Sequence, residues 1–314
     1  MAIAEMSRLS VVALLSDKDK IYDALQKTGA AQIKSQTEKE YAVPLAAADD
    51  AELKAKIDRA KKCLDFISDE IELLPKEERG AGVIKDGFPV TTTEFFAVGD
   101  KTGEIESVLS EIEKLSDKKN ALKARQVKVN EKIRNYEPYA LLKNKFSEFS
   151  DTQSVKVYLG IVPADKTEKC LTEIKDCELA EAFIECDGKN GEVVSVAAYK
   201  PNAEAVEKVL SACGFTRCPF KEEVTAAEKI SEAENELKEI ENEFLSVSKK
   251  AAALADRSRE VKLYVDYLAY LVEKANADGS LYHTADAFVL EAYVPAEKVG
   301  EVKAAVEGAA RACE

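Results

Sequence analysis

The chain has 314 residues, 46% of them hydrophobic and 33% charged, with a formal net charge of −14. That length suits two domains better than one. The excess of carboxylates excludes nucleic acid or an anionic membrane surface as the principal partner, because phosphates would be repelled.

The longest apolar run, near Val11–Leu15, is strand-sized and far short of the ~20 residues that span a bilayer. The N-terminus has no long apolar core and no small-residue cleavage site, so no signal peptide is expected. The seven cysteines (Cys63, Cys170, Cys177, Cys186, Cys213, Cys218 and Cys313) form no CxxC pair. They are expected to be reduced, partly buried apolar residues of a cytosolic protein.

In chain order, the first element is a strand, Leu9–Leu15, followed by a helix with Ser16 as N-cap and Gly29 as the residue that closes it. Next comes a long helical arm. Its apolar residues Ile105, Val108, Ile112, Leu115, Leu122, Val129, Ile133 and Tyr136 keep a heptad register, interrupted by polar Lys119 and Gln126. Pro138 ends it. A second strand–helix unit starts at Val155 and turns at Val162-Pro163. A third runs from Val193 through Tyr199-Lys200-Pro201 into a helix stopped by Gly214. The second arm carries Ile230, Ala233, Leu237, Ile240, Phe244, Val247, Ala251, Leu254, Val261, Val265, Leu268 and Val272, in steps of three and four broken only at Ser258. The last unit is a strand from Phe288 to Val294-Pro295, leading into a helix with Val302 and Val306. Proline just after a strand removes a donor where the ladder ends and presets the turn.

Arms of roughly 50 and 80 Å with narrow apolar stripes need partners, and each is the nearest partner for the other. The expected fold is therefore α+β: two small ferredoxin-like α/β lobes joined by a long antiparallel two-helix coiled coil, a dumbbell. The proximal lobe comprises 1–100 with 277–314, the arms 101–138 with 221–276, and the distal lobe 139–220.

At this point the chain resembles a known family: the cytoplasmic N-terminal region of subunit I, the a-type subunit, of archaeal and bacterial V-type ATPases. The residues that carry the resemblance are the opening from Met6 to Leu14 with its helix and Gly29, Tyr136-Glu-Pro-Tyr139 after the first arm, Leu159-Gly-Ile-Val-Pro163, and Phe288-Val-Leu-Glu-Ala-Tyr-Val-Pro295. Ala292 stands where the family pattern has glycine. The resemblance implies a stator component on the cytoplasmic face of the membrane. It would anchor peripheral-stalk heterodimers of E- and G-type subunits and link the catalytic head to an ion-translocating membrane half. These 314 residues hold no counterpart of that membrane half, so alone they are expected to insert in no membrane and move no ions.

Catalytic chemistry finds little support. His283 is the only histidine, and no nucleophile elbow accompanies it. The glycines of Arg79–Gly87 (Gly80, Gly82 and Gly87) match neither the dinucleotide fingerprint nor the P-loop and are expected to form a connector. The cysteines lack metal spacing, so neither metal nor cofactor is expected. Glu232, Glu234, Glu236, Glu239, Glu241 and Glu243 lie off the heptad seam and read as a solvated helix face. Two functions then compete. In the first, the arms are a strut and the strand-to-helix turns are docking points, with Val162, Pro163, Tyr199, Lys200, Tyr293 and Pro295 as candidate stalk contacts. In the second, the lobes form a small-molecule sensor or a scaffold, as fold alone permits.

Overall fold

The computed structural model describes residues 5–34, 43–44, 50–79, 82–83, 87–189, 191–278 and 281–310. Gly80 and Cys313 lie outside these residues.

The chain begins with β1 (Met6–Leu14), α1 (Lys18–Thr28) and the short strands β2 (Gln32–Ile33) and β3 (Val43–Pro44). Three helices follow: α2 (Ala51–Leu73), α3 (Thr92–Ala97) and α4 (Thr102–Tyr136). Then come β4 (Val155–Val162), α5 (Thr167–Lys175), β5 (Ala180–Gly188), β6 (Gly191–Tyr199), α6 (Ala203–Ala212) and β7 (Thr216–Arg217). The last elements are α7 (Ala226–Ala253), α8 (Ser258–Asp278), β8 (Tyr282–His283), β9 (Ala287–Pro295) and α9 (Val299–Ala309). They form two compact units, Met1–Ser116 with Ser248–Glu314, and Asp117–Val247.

In the first unit β1 and β9, from opposite ends of the sequence, pair antiparallel from Met6↔Pro295 to Leu14↔Ala287. The two-residue strands β8 and β2 pair with β9, and β3 pairs with β8. Alternation along β1 sends Val11 and Ala13 inward. They join Phe288, Leu290 and Val294 of β9, Ile21 and Leu25 of α1, and Val302 and Val306 of α9 in one core. Gly29 closes α1 in the left-handed region at φ 57°, where glycine meets no steric penalty. Ser16 does not cap α1. It lies in a 3-10 turn, and the helix starts after Asp17, whose buried carboxylate accepts from Lys20 at 3.3 Å.

A second core of the same unit is built from three helices. Ala60, Cys63, Leu64, Ile67 and Ile71 of α2 meet Ile105, Leu109 and Ile112 of α4, and Val261, Leu263, Tyr264 and Leu268 of α8. Phe95, Phe96, Tyr267 and Tyr270 add edge-to-face ring contacts beside it, with centroids 5.3–6.0 Å apart for three of the pairs made with Phe95.

In the second unit the elements run β4–α5–β5–β6–α6–β7, and the antiparallel sheet has the order β5-β6-β4-β7. Val194, Val196 and Ala198 of β6 and Tyr158 and Val162 of β4 face Cys170 and Ile174 of α5 and Val206 and Leu210 of α6. Leu159 and Val193 point the other way, onto Tyr136, Tyr139, Leu142 and Phe146 at the end of α4. Gly160 lets β7 approach: a Cβ there would lie 2.3 Å from the Thr216 carbonyl oxygen. Thr225 and Glu228 cap α7 reciprocally. The Thr225 hydroxyl accepts from the Glu228 amide at 3.2 Å, and the Glu228 carboxylate from the Thr225 amide at 2.9 Å.

The expected dumbbell, two ferredoxin-like lobes on a long two-helix coiled coil, does not hold. The second arm is two helices, α7 of 28 residues and α8 of 21, broken by a 3-10 turn at Leu254–Arg257. In the first unit α4 and α8 share their core with α2, so the packing there is three-helical. The sheet of that unit has two long strands, and its remaining strands are two residues each. The physical reason is that a three-four apolar spacing is common to a coiled-coil seam and to one face of a helix packed among several others.

Candidate functional site

The seam residues fall into two settings. In the first unit Ile105, Ile112, Val261 and Leu268 are buried in the three-helix core, with Val108, Leu254 and Val265 half-buried against it. Leu115 is half-buried. In the second unit Leu122 and Val129 of α4, and Ile240 and Val247 of α7, are buried. Ile133, Leu237 and Phe244 are half-buried. Ile230 is half-buried too, and packs beside the aromatic cluster at the end of α4.

Across this second-unit pair, basic residues of α4 meet acidic residues of α7. Lys118 pairs with Glu243 at 2.9 Å, Arg125 with Glu236 at 2.8 Å, and Lys132 with Glu232 at 3.6 Å. As the α4 number rises the α7 number falls, so the two helices run antiparallel. The Lys118 ammonium holds the Glu243 carboxyl below its ordinary range, and Lys229 and Lys132 do the same to Glu232. The glutamates expected to be a solvated face thus include the acidic half of an interhelical ladder. The pairs are largely exposed and screened by solvent, so the ladder fixes register more than it adds stability.

In the first unit Arg59 of α2 takes the place of such a ladder. Its guanidinium donates to both oxygens of Glu113, at 2.6 and 2.7 Å, and to Glu106, both on α4. Glu106 also accepts from the Tyr264 hydroxyl at 2.7 Å. Burial, followed by that carboxylate, pushes the Tyr264 phenol well above its ordinary value. A buried polar contact joins α2 to the end of α7, where Ser248 donates to Glu70 at 2.7 Å.

The six candidate docking residues are not brought together. Val162 is fully buried in the second unit's core, so it offers no contact surface. Pro163 follows it at one end of β4. Tyr199 and Lys200, both exposed, lie at the other end of the sheet, because Tyr199 pairs with Val155 while Val162 pairs with Glu192. Eight residues of strand separate those ends by about 25 Å. Tyr293 and Pro295 belong to β9 of the first unit. Tyr293 is exposed and carries the Lys34 ammonium 5.8 Å over its ring.

A hollow of about 480 Å³ opens beside Pro163. Its walls are the end of α4 (Arg134 to Tyr139), the exit of β4, and the segment Gly214–Phe220. Sequence reading passed over Arg134, which follows Lys132 on α4, and Arg217, which stands in the otherwise uncharged run Cys213–Phe220. Only the β4–β7 pairing and the bend at Pro138 bring their two segments together.

His283 lies in β8, its Nδ1 donating to the Thr284 carbonyl at 2.9 Å. Among the described residues no three His, Cys, Asp or Glu side chains are placed to hold a metal ion. Among them, too, no helix is long and apolar enough to cross a membrane.

No family model matches the chain, and no curated protein matches it. Among solved structures it is similar to the crystal structure of the cytoplasmic N-terminal domain of subunit I, a homolog of subunit a, of V-ATPase. The identity is 15% over 96% of both chains, with a TM-score of 0.42.

Proposed function

We propose that the chain is a load-bearing, non-catalytic part of the stator of a rotary V-type ATPase, working on the cytoplasmic face of the membrane. One observation carries the reading: α4 and α7 run antiparallel within Asp117–Val247 and are tied by ion pairs at Lys118, Arg125 and Lys132. Two helices tied along their length resist bending and sliding better than one helix does. Support also comes from the sequence motifs that resemble the family, which occur in family order from Met6 to Pro295.

On this reading the strand-bearing parts dock. The partners are the peripheral-stalk heterodimer of E- and G-type subunits and the membrane half of the same subunit, with Pro163, Tyr199, Lys200, Tyr293 and Pro295 as the exposed or half-exposed points of contact. The test is a calorimetric titration of the chain with the purified stalk heterodimer. Saturable heat is expected with a dissociation constant below ~100 μM, which corresponds to about −5.5 kcal/mol. No heat at that concentration refutes the docking role.

A further inference from the structure

We propose that the outer edge of β5 is a strand-addition site for an extended, basic segment of a partner protein. The proposal stands on the strand itself and goes beyond the stator reading.

Among the described residues β5 pairs with β6 alone, at the edge of the second unit's sheet. The phase of that ladder tells which backbone groups are left over. The Tyr199 amide donates to the Leu179 carbonyl at 3.0 Å, just before the strand begins, and the antiparallel pattern alternates from there. Glu181 and Phe183 therefore bond to β6, opposite Ala197 and Ser195. Ala180, Ala182 and Ile184 aim their N–H and C=O groups outward. Among the described residues no other backbone hydrogen bond reaches those groups. A bulge between Ile184 and Cys186 breaks the row, so the usable edge runs from Ala180 to Ile184.

Apolar surface flanks this row on both faces of the sheet. Phe183 is 51% exposed on one face and Ile184 is 48% exposed on the other. Beside exposed Leu179 a hollow of about 500 Å³, walled in part by Val155, Ala197 and Tyr199, leaves room for an apolar side chain at the end of an incoming strand.

Charge selects the occupant. β5 carries Glu181, Glu185 and Asp187 and no cation, and the stretch from Asp176 to Tyr199 holds six carboxylates and one lysine. That lysine, Lys189, pairs with Glu137, and Glu185 accepts from the Ser195 hydroxyl. Glu181 and Asp187 are exposed on the strand, and Glu178 is exposed just before it. Lys175 and Lys200, also exposed, flank only the Leu179 end. Opposite charges stabilise a cross-strand pair and like charges destabilise it. A second copy of β5, equally acidic, is therefore a poor match. A strand with Lys or Arg beside Glu181, and with apolar side chains beside Phe183 and Ile184, fits both charge and surface. Main-chain bonds would supply its affinity and alternate side chains its specificity.

The test is a selection from a displayed random-peptide library on the full chain, with Ala182→Pro as counter-target. Proline at 182 removes an outward donor and no bond to β6, and an unaltered circular dichroism spectrum would show that the variant folds. The expected result is a set of peptides that alternate β-branched or aromatic residues with Lys or Arg. In fluorescence anisotropy they should bind at least about 10-fold more weakly to Ala182→Pro and about 3-fold more weakly to Glu181→Gln, and should weaken as salt rises. With a peptide bound, hydrogen exchange should slow far more at the Ala182 and Ile184 amides than at Glu181 and Phe183, which already bond to β6. If Ala182→Pro does not fold, peptides N-methylated at alternate residues take its place: one methylation phase should abolish binding and the other should spare it. The proposal is overturned if no peptide is selected, if the selected peptides are neutral or acidic, or if protection appears away from β5. It is also overturned if basic peptides bind Ala182→Pro as well as the parent, which would make the attraction nonspecific. Sedimentation that showed a dimer lost in Ala182→Pro would give the edge to a second copy and overturn it too.

Discussion

Tyr264 of α8 donates its phenolic hydrogen to Glu106 of α4 at 2.7 Å, and the same carboxylate accepts from Arg59 of α2. One side chain thus ties together all three helices of the first unit's helical core. Glu113, about two helical turns further along α4, takes the rest of the guanidinium in a two-pronged contact.

Replacing Arg59 tests this node. Arg59→Ala leaves Glu106 and Glu113 close together without their cation and is expected to cost about 1–2 kcal/mol at neutral pH, kept small by the partial exposure of the group. The cost depends on pH in a definite direction. Arg59 lowers the Glu113 pKa below its ordinary 4.5, first by hydrogen bonding and then by charge. A depressed carboxylate pKa contributes stability above the unfolded value, and that contribution is lost as pH falls through the folded one. Urea melts of the two proteins should therefore differ fully at pH 7 and converge as the pH drops below 4.5. A difference that stayed constant into acid would show that the contact is not ionic.

The seam of the second unit is tested by two aspartates placed three residues apart on α7. Ile240 is fully buried and Leu237 half-buried. Ile240→Asp should cost about 4 kcal/mol, because an unpaired carboxylate enters an apolar contact. Leu237→Asp should cost about 1–2 kcal/mol, since water still reaches it. Thermal melting followed at 222 nm would reverse this assignment if Leu237→Asp proved the more damaging.

Gly160→Ala probes the close approach of β7 to β4. The added Cβ would meet the Thr216 carbonyl at 2.3 Å and the Phe215 ring at 2.5 Å, and the backbone has to move. A loss of about 1–3 kcal/mol is expected, with faster hydrogen exchange at Thr216, Arg217 and Cys218. An unchanged melting temperature would mean that β7 does not pair with β4 in solution.

The cysteines should be quiet. Burial pushes the Cys170 thiol up to about 12 and the Cys63 thiol to about 11, so neither holds appreciable thiolate at neutral pH. Cys213 and Cys218 are buried as well. Iodoacetamide at pH 8 should leave these four unlabelled in the native protein and label them all in guanidinium. Rapid native labelling of Cys170 would contradict the packing of α5 on α6.

Much of the fold was legible from single residues with one conformational meaning. Gly29 and Gly214 mark helix ends because they take positive φ, and Pro163 and Pro295 mark strand ends because they cannot donate. Pro138 marks the end of α4. Other elements were hidden by their composition. The inward face of α2 is spaced three and four, at Ala60, Cys63, Leu64, Ile67 and Ile71, but two of its members are small and the helix is rich in charge. At the sheet edge, β5 carries Glu181, Glu185 and Asp187, which break the apolar pattern of a strand and mark an edge strand kept soluble by charge. Leu109 shows the limit of heptad counting. It is buried one position beyond Val108 because α4 faces two helices there, and its apolar stripe has to be wider than one seam. The docking candidates were legible as turns and not as a surface. Nothing in local sequence states that Pro163 and Tyr199 lie at opposite ends of one sheet.

The 3-10 turn at Leu254–Arg257 has a geometric consequence for the repeat on either side of it. An α-helix winds about 100° per residue, so a seven-residue repeat slips back by about 20° with every heptad. Four residues wound at three per turn advance about 80° more than α-helical residues would, which cancels roughly four heptads of slip. The turn thereby offsets slip that a seven-residue spacing of apolar residues would otherwise accumulate. The phase error is corrected at one point, as a leap day corrects a calendar.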